Sequence, residues 1–167
     1  SDFCVADLVT SFQKTLTSKV HTFALFLSDT QISDYTLTCL ASSLPVLRNL
    51  KDLNLGLYNT KISDSGLEKV FKSLSGVSKN LQVLSLYLGH TKISDSSLKV
   101  LYKEMSLGAA LSTLKLDLTT TQVSDSGLSK FFVGVMTEIK NLKNLTLNLV
   151  YFQQMYSLKN KDCLAFE

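Results

Sequence analysis

Three sets of residues in this sequence have the types and spacing to do chemistry. They are a Ser-Asp dipeptide repeated at Ser33-Asp34, Ser63-Asp64, Ser94-Asp95 and Ser124-Asp125, two histidines (His21 and His90), and three cysteines (Cys4, Cys39 and Cys163). A hydroxyl beside a carboxylate suits metal binding or acid-base work. Each pair, however, stands just before a helical pattern, where Ser or Asp accepts a hydrogen bond from the first free helix N–H groups, so capping is the expected role. Ser65 and Glu68 add the spacing of a capping box. His21 lies beside a strand start and His90 in a turn, with no cysteine or second histidine at ligand spacing; both read as surface residues. The cysteines are odd in number, far apart and without a C-x-x-C pair, which fits a reducing compartment, and Cys39, next to Leu40 on a helix, reads as a small buried residue. No glycine-rich phosphate loop and no nucleophile elbow is present. An enzyme is therefore not expected, nor any catalytic residue, cofactor or metal.

The elements that carry these residues repeat. In LKDLNLGLYNTKISDSGLEKVFKSL, residues 50 to 74, Leu53, Leu55 and Leu57 alternate as one face of a strand. From Ile62 the period changes: Ile62, Gly66, Val70 and Leu74 fall at four-residue steps with Leu67 and Phe71 one place on, the stripe of a helix buried on one side. The unit is strand, turn, helix, and such a unit buries its apolar face only by stacking on neighbours of its own kind. Successive Ser-Asp pairs are 30, 31 and 30 residues apart. The strand returns at Phe23, Leu25, Leu27; at Leu84, Leu86, Leu88; at Leu114, Leu116, Leu118; and at Leu145, Leu147, Leu149. Five strands are predicted, in a single domain over residues 1–167. Its parts are a helical half-repeat or cap (1–19), repeats at 20–49, 50–80, 81–110 and 111–141, and a last strand with a cap or partial repeat (142–167).

This pattern resembles leucine-rich-repeat proteins, in particular the longer ribonuclease-inhibitor-like class, in a variant with a lengthened strand of the kind found in protists. The class motif L-x-x-L-x-L-x-x-N-x-L continues as x-x-x-G-x-x-x-L-x-x-x-L, and the second half is matched by Ile62, Gly66, Val70 and Leu74 and by Val123, Gly127, Phe131 and Val135. Thr60, Thr91 and Thr121, with Thr30, hold the place of the usual asparagine, so a hydroxyl is expected to bond the turn backbone there. The resemblance implies a right-handed α/β solenoid, a short horseshoe arc with a parallel sheet on its concave face and helices on its convex face. It also implies a role in holding a protein or peptide on the concave sheet.

Composition agrees. The chain has 167 residues, 45% of them apolar, enough for one continuous core. Its net charge of +3, from 17 basic and 14 acidic residues spread along the chain, is too small and too mixed to argue for nucleic acid or a membrane surface. No apolar run reaches the roughly 20 residues of a membrane span. A soluble, cytoplasmic protein is expected. The opening Ser1-Asp2, without an initiator methionine and halfway through a repeat, is what a fragment of a longer protein would show, and self-association through open solenoid ends follows from it.

In a solenoid the repeating residues build the scaffold and the varying exposed ones recognise partners. The varying positions are Asp52, Asn54, Gly56 and Tyr58, then Val83, Ser85, Tyr87 and Gly89, then Thr113, Lys115, Asp117 and Thr119. The candidate partner-binding residues are Phe26, Tyr58, Tyr87, Asp52, Asn54, Lys115 and Asp117, with Phe26 and Tyr87 walling a slot over Gly56 and Tyr58 forming its third wall. The expected function is a non-catalytic protein-protein interaction module. The alternative is a structural spacer or assembly subunit that makes contact through helices and open ends.

Overall fold

A computed structural model describes residues 19–149, apart from 75, 76, 78 and 107–109. The expectations for residues 1–18 and 150–167 lie outside the described residues. Strand and helix alternate: β1 (Thr22–Phe26), α1 (Asp34–Ser43), a 3₁₀ turn (Leu44–Val46), β2 (Asp52–Gly56), α2 (Asp64–Leu74), β3 (Val83–Tyr87), α3 (Asp95–Ser106), β4 (Thr113–Asp117), α4 (Asp125–Glu138) and β5 (Asn144–Asn148). The strands form one open parallel sheet in the order β1-β2-β3-β4-β5. Parallel neighbours need a crossover between them, and here each crossover is the helix of the same repeat. The fold is an α/β solenoid of the leucine-rich-repeat kind.

Register is set by the leucines. Leu25, Leu55, Leu86, Leu116 and Leu147 stand side by side across the sheet, as do Phe23, Leu53, Leu84, Leu114 and Leu145. A slip of one residue would turn all of them to the other face. Each strand begins one residue before its first leucine and ends before its third, yet the N–H of Leu27, Leu57 and Leu88 still donates to Gly56, Tyr87 and Asp117 of the next strand at 2.7–2.9 Å. Beneath the sheet, Leu67, Val70, Phe71 and Leu74 of α2, Leu98, Leu101 and Met105 of α3, and Phe131 and Val135 of α4 join the strand leucines in one core.

The turns after the strands are satisfied in a repeated way. The hydroxyls of Thr30, Thr60, Thr91 and Thr121 donate to the carbonyls of Leu27, Leu57, Leu88 and Leu118 at 2.6–2.9 Å, the role expected of threonine at the asparagine position. The residue before each threonine takes positive φ: Asp29, Asn59, His90 and Thr120. Asp and Asn tolerate this conformation, and Asn59 also donates its amide to Asp29 at 2.9 Å. Thr120 is β-branched, sits at φ 52°, and its buried hydroxyl has no partner among the described residues. Thr120→Asn is therefore expected to raise the free energy of unfolding by about 1 kcal/mol, by relieving the strain of a branched residue in that region. Denaturant titration checks this, and a loss of stability would show that the turn is not strained.

Cys39 is buried, as expected, but it is disulfide-bonded, with its partner outside the described residues. A disulfide at Cys39 departs from the reducing compartment that the odd number and wide spacing of the cysteines suggest.

Candidate functional site

The sheet face away from the helices carries three columns of side chains. Thr22, Asp52, Val83, Thr113 and Asn144 form the first, Ala24, Asn54, Ser85, Lys115 and Thr146 the second, and Phe26, Gly56, Tyr87, Asp117 and Asn148 the third. Phe26 and Tyr87 share a column, as the leucine register requires. They are 66% and 41% exposed, the large aromatic groups left in solvent on a face whose other side chains are mostly polar, with Ala24 and Val83 as smaller apolar members.

The slot expected between them is filled. The ring of Phe26 leans over Gly56 so closely that a Cβ on Gly56 would stand 2.5 Å from Phe26 Cδ1. An aromatic ring has no competing side chain to meet at a glycine and lies down onto the exposed backbone, where it shields the ladder. Tyr58 does the same on Gly89, and its ring meets His90 edge-on at 5.0 Å between centroids. Tyr58 is thus half-buried and belongs to the turn side. The third column presents Phe26, a covered glycine and Tyr87 as one continuous apolar step.

The polar candidates sit around that step. Asp52 is half-buried and accepts a bond from Thr22 Oγ1 at 3.1 Å. Asn54 is half-buried beside Ala24 and Ser85. Lys115 is exposed in the second column, next to buried Ser85. Asp117 is paired in register with Tyr87, and its carboxylate accepts the N–H of Thr119 at 3.0 Å. Phe26, Tyr87, Lys115 and Asp117 are brought to one face; Asp52 and Asn54 line its β2 side.

The Ser-Asp pairs divide their work differently from expectation. Three of the serines cap: Ser33 Oγ accepts from the N–H of Tyr35 at 3.3 Å, Ser94 Oγ from that of Ser96 at 3.3 Å and Ser124 Oγ from that of Gly127 at 3.0 Å. The aspartates reach into the next repeat instead. Asp34 accepts the N–H and O–H of Ser63 at 2.8 and 2.5 Å. Asp64 accepts both from Ser94, at 2.9 and 2.5 Å, and the hydroxyl of Ser97 at 2.5 Å. Asp95 accepts both from Ser124, at 2.7 and 2.6 Å. A cap is read from sequence helix by helix, whereas stacking brings the next helix start within reach of each carboxylate. Burial pushes the Asp64 carboxyl up, but the hydrogen bonds from Ser94 and Ser97 outweigh it and hold the group below its ordinary value. The expected capping box does not form: α2 begins at Asp64, so Ser65 is already inside the helix, and Glu68 instead takes Lys72 at 2.6 Å.

The glycine of I-S-D-x-G follows from this clamp. A Cβ on Gly66 would stand 2.5 Å from Asp34 Oδ1, and one on Gly127 would fall inside the carboxylate of Asp95. Where the motif reads I-S-D-S-S, Ser97 stands at that position and becomes a donor to the carboxylate. The recurrence of an aspartate and, one repeat on, a small residue is the signal that sequence reading missed. Asp125 has the same placement at the last helix but is exposed, and its carboxylate has no partner among the described residues.

On the outside of the helices α4 differs from its neighbours. Eight residues past the starts of α2, α3 and α4 stand Lys72, Lys103 and Val133, and Val133 and Met136 are 64% and 68% exposed. Tyr102 rests on Gly134, and beside them lies an open groove of about 470 Å³ lined partly by Lys130, Val133 and Glu138. Among the described residues no helix is long and apolar enough to cross a membrane, and no three His, Cys, Asp or Glu side chains gather as a metal site.

An open α/β solenoid with two exposed aromatics on its sheet face defines a class of repeat scaffold. Among solved structures the chain is similar to one described as Leiomodin-1 Actin-Binding Site 2 (ABS2), at TM-score 0.66 and 13% identity, over 92% of this chain and 83% of that one. At that identity the likeness shows the fold alone. No protein-family model matches the chain, and no curated protein does.

Proposed function

We propose that the chain is a non-catalytic protein-interaction module that holds a protein or peptide on the open face of its sheet, within a repeat array of the ribonuclease-inhibitor-like class. The observation that carries this is the exposure of Phe26 and Tyr87 in one column above a covered glycine, with Lys115 and Asp117 beside them. Exposed aromatics offer large contact area at small entropic cost, which is why they dominate binding hot spots. The similar solved structure is named for binding actin, a protein partner, and this agrees with an interaction role without identifying the partner. The repeat length of 30 to 31 residues, with a full helix in each described repeat, supports the class.

Peptides selected from a displayed library on the wild-type chain test the reading. Binding is expected to weaken by more than about 1 kcal/mol in Tyr87→Ala, the range of an interface hot spot, and to survive Val133→Ser on the opposite side of the molecule. Binders that ignore Tyr87→Ala and lose affinity in Val133→Ser would move the function to the helices, as the assembly-subunit alternative requires.

A further inference from the structure

Charges that look scattered in the sequence are sorted by the fold onto two edges. Every strand begins, and every described helix ends, on one edge of the solenoid, so residues 44–51, 79–82, 110–112 and 139–143 of the connections lie along it together with residues 19–21. These stretches contain Lys19, Arg48, Lys51, Lys79, Lys140 and Lys143 and no Asp or Glu; Asp52, the first residue of β2, and Glu138, the last of α4, adjoin them. All six cations are exposed, and none has an ion-pair partner among the described residues, where the salt bridge found is Lys72–Glu68. The other edge, where strands turn into helices, holds Asp29, Asp34, Asp64, Asp95 and Asp125 against Lys61 and Lys92.

The basic edge is also ordered. His21, Lys51, Gln82, Ser112 and Lys143 each stand one residue before a strand, and the carbonyls of the first four each accept two N–H groups from the next repeat, which pins this row. Arg48, Lys79 and Lys140 form a second row four residues before β2, β3 and β5. At about 4.8 Å per strand, the first row runs about 20 Å across the five strand entrances and the second, from β2 to β5, about 15 Å. Cations just after helix ends complement the helix dipole, which explains the Arg48 row. It does not explain Lys51 and Lys143 at the strand starts.

We propose that this edge is a second interaction surface, which docks an extended acidic segment of a protein partner across the strand entrances. The size of the edge selects the partner. An extended chain of about six residues spans about 20 Å, whereas a nucleic-acid duplex or an anionic membrane is larger than the edge and would bring its charge over the aspartates of the opposite edge. No Phe, Tyr or Trp side chain stands in these connections to stack on bases.

Fluorescence anisotropy with a labelled short polyglutamate peptide at low ionic strength tests the proposal on the whole chain. Wild type is expected to bind, with affinity falling as salt is added. Arg48→Glu/Lys79→Glu/Lys140→Glu is expected to lose at least about tenfold in affinity. Lys51→Gln/Lys143→Gln, which leaves the helix ends alone, is expected to weaken binding measurably while the unfolding curve stays in place. Lys61→Glu/Lys92→Glu, on the opposite edge, is expected to bind as wild type does. The proposal is overturned by absence of binding, by equal losses in the opposite-edge variant, or by tighter binding of an oligonucleotide or of phosphatidylserine vesicles than of the peptide.

Discussion

Leu86→Ala is expected to lower the free energy of unfolding by about 2–5 kcal/mol, the range of a buried leucine truncated to alanine. Leu86 is 1% exposed in the central strand, flanked in register by Leu55 and Leu116, which are equally enclosed. Its removal opens a cavity with strands on both sides and helices below, and a parallel sheet joined through helices has little freedom to close it. The size of the loss within the range reports how far α2 and α3 settle into the space. The check is the denaturant midpoint at unchanged slope. A loss below about 0.5 kcal/mol would mean that Leu86 does not face the core, which the mutational range for a buried leucine forbids.

The second large effect is expected at Asp64. Asp64→Ala leaves the Ser94 N–H, the Ser94 hydroxyl and the buried Ser97 hydroxyl without their acceptor. Buried donors left unpaired cost about 1–3 kcal/mol each, but Asp64 is half-exposed and water replaces part of what is lost, so a total of about 2–3 kcal/mol is expected. Asp125→Ala supplies the control inside the same chain. It has the same residue at the same place in its helix but no partner for its carboxylate among the described residues, and should change stability by less than about 0.5 kcal/mol. The sign with pH follows from the lowered Asp64 carboxyl. A depressed folded value adds stability above the unfolded value of about 4, and that stability is lost as pH falls through the folded value. The gap between wild type and Asp64→Ala should therefore be full at neutral pH and narrow progressively below about pH 4. A gap independent of pH would place the effect in packing instead of in the charge.

Much of the fold was legible because the leucines do two things at once. Their alternation marks strands, and their recurrence every 30 or 31 residues fixes which strands are neighbours, so Phe26, Gly56 and Tyr87 could be placed in one column. The capping serines were legible too, since a cap is a local matter. What was not legible depends on contacts between repeats. The reach of Asp34, Asp64 and Asp95 into the following repeat requires the stack to exist first. The ring of Phe26 over Gly56 depends on a rotamer that spacing does not specify. The basic edge is spread over connections up to about 120 residues apart in sequence, from Lys19 to Lys143, and only the parallel topology collects it.

The central claim is a division between faces: one side of each strand holds the array together, and the other is free to meet a partner. Leu86 and Tyr87 are consecutive residues of β3 on opposite faces, buried and 41% exposed. Unfolding of Leu86→Ala and Tyr87→Ala, measured side by side, tests the claim most directly. The account predicts a loss of about 2–5 kcal/mol for the first and less than about 1 kcal/mol for the second. Equal losses would contradict it, since Tyr87 would then be part of the scaffold and the open face would have no free aromatic beyond Phe26.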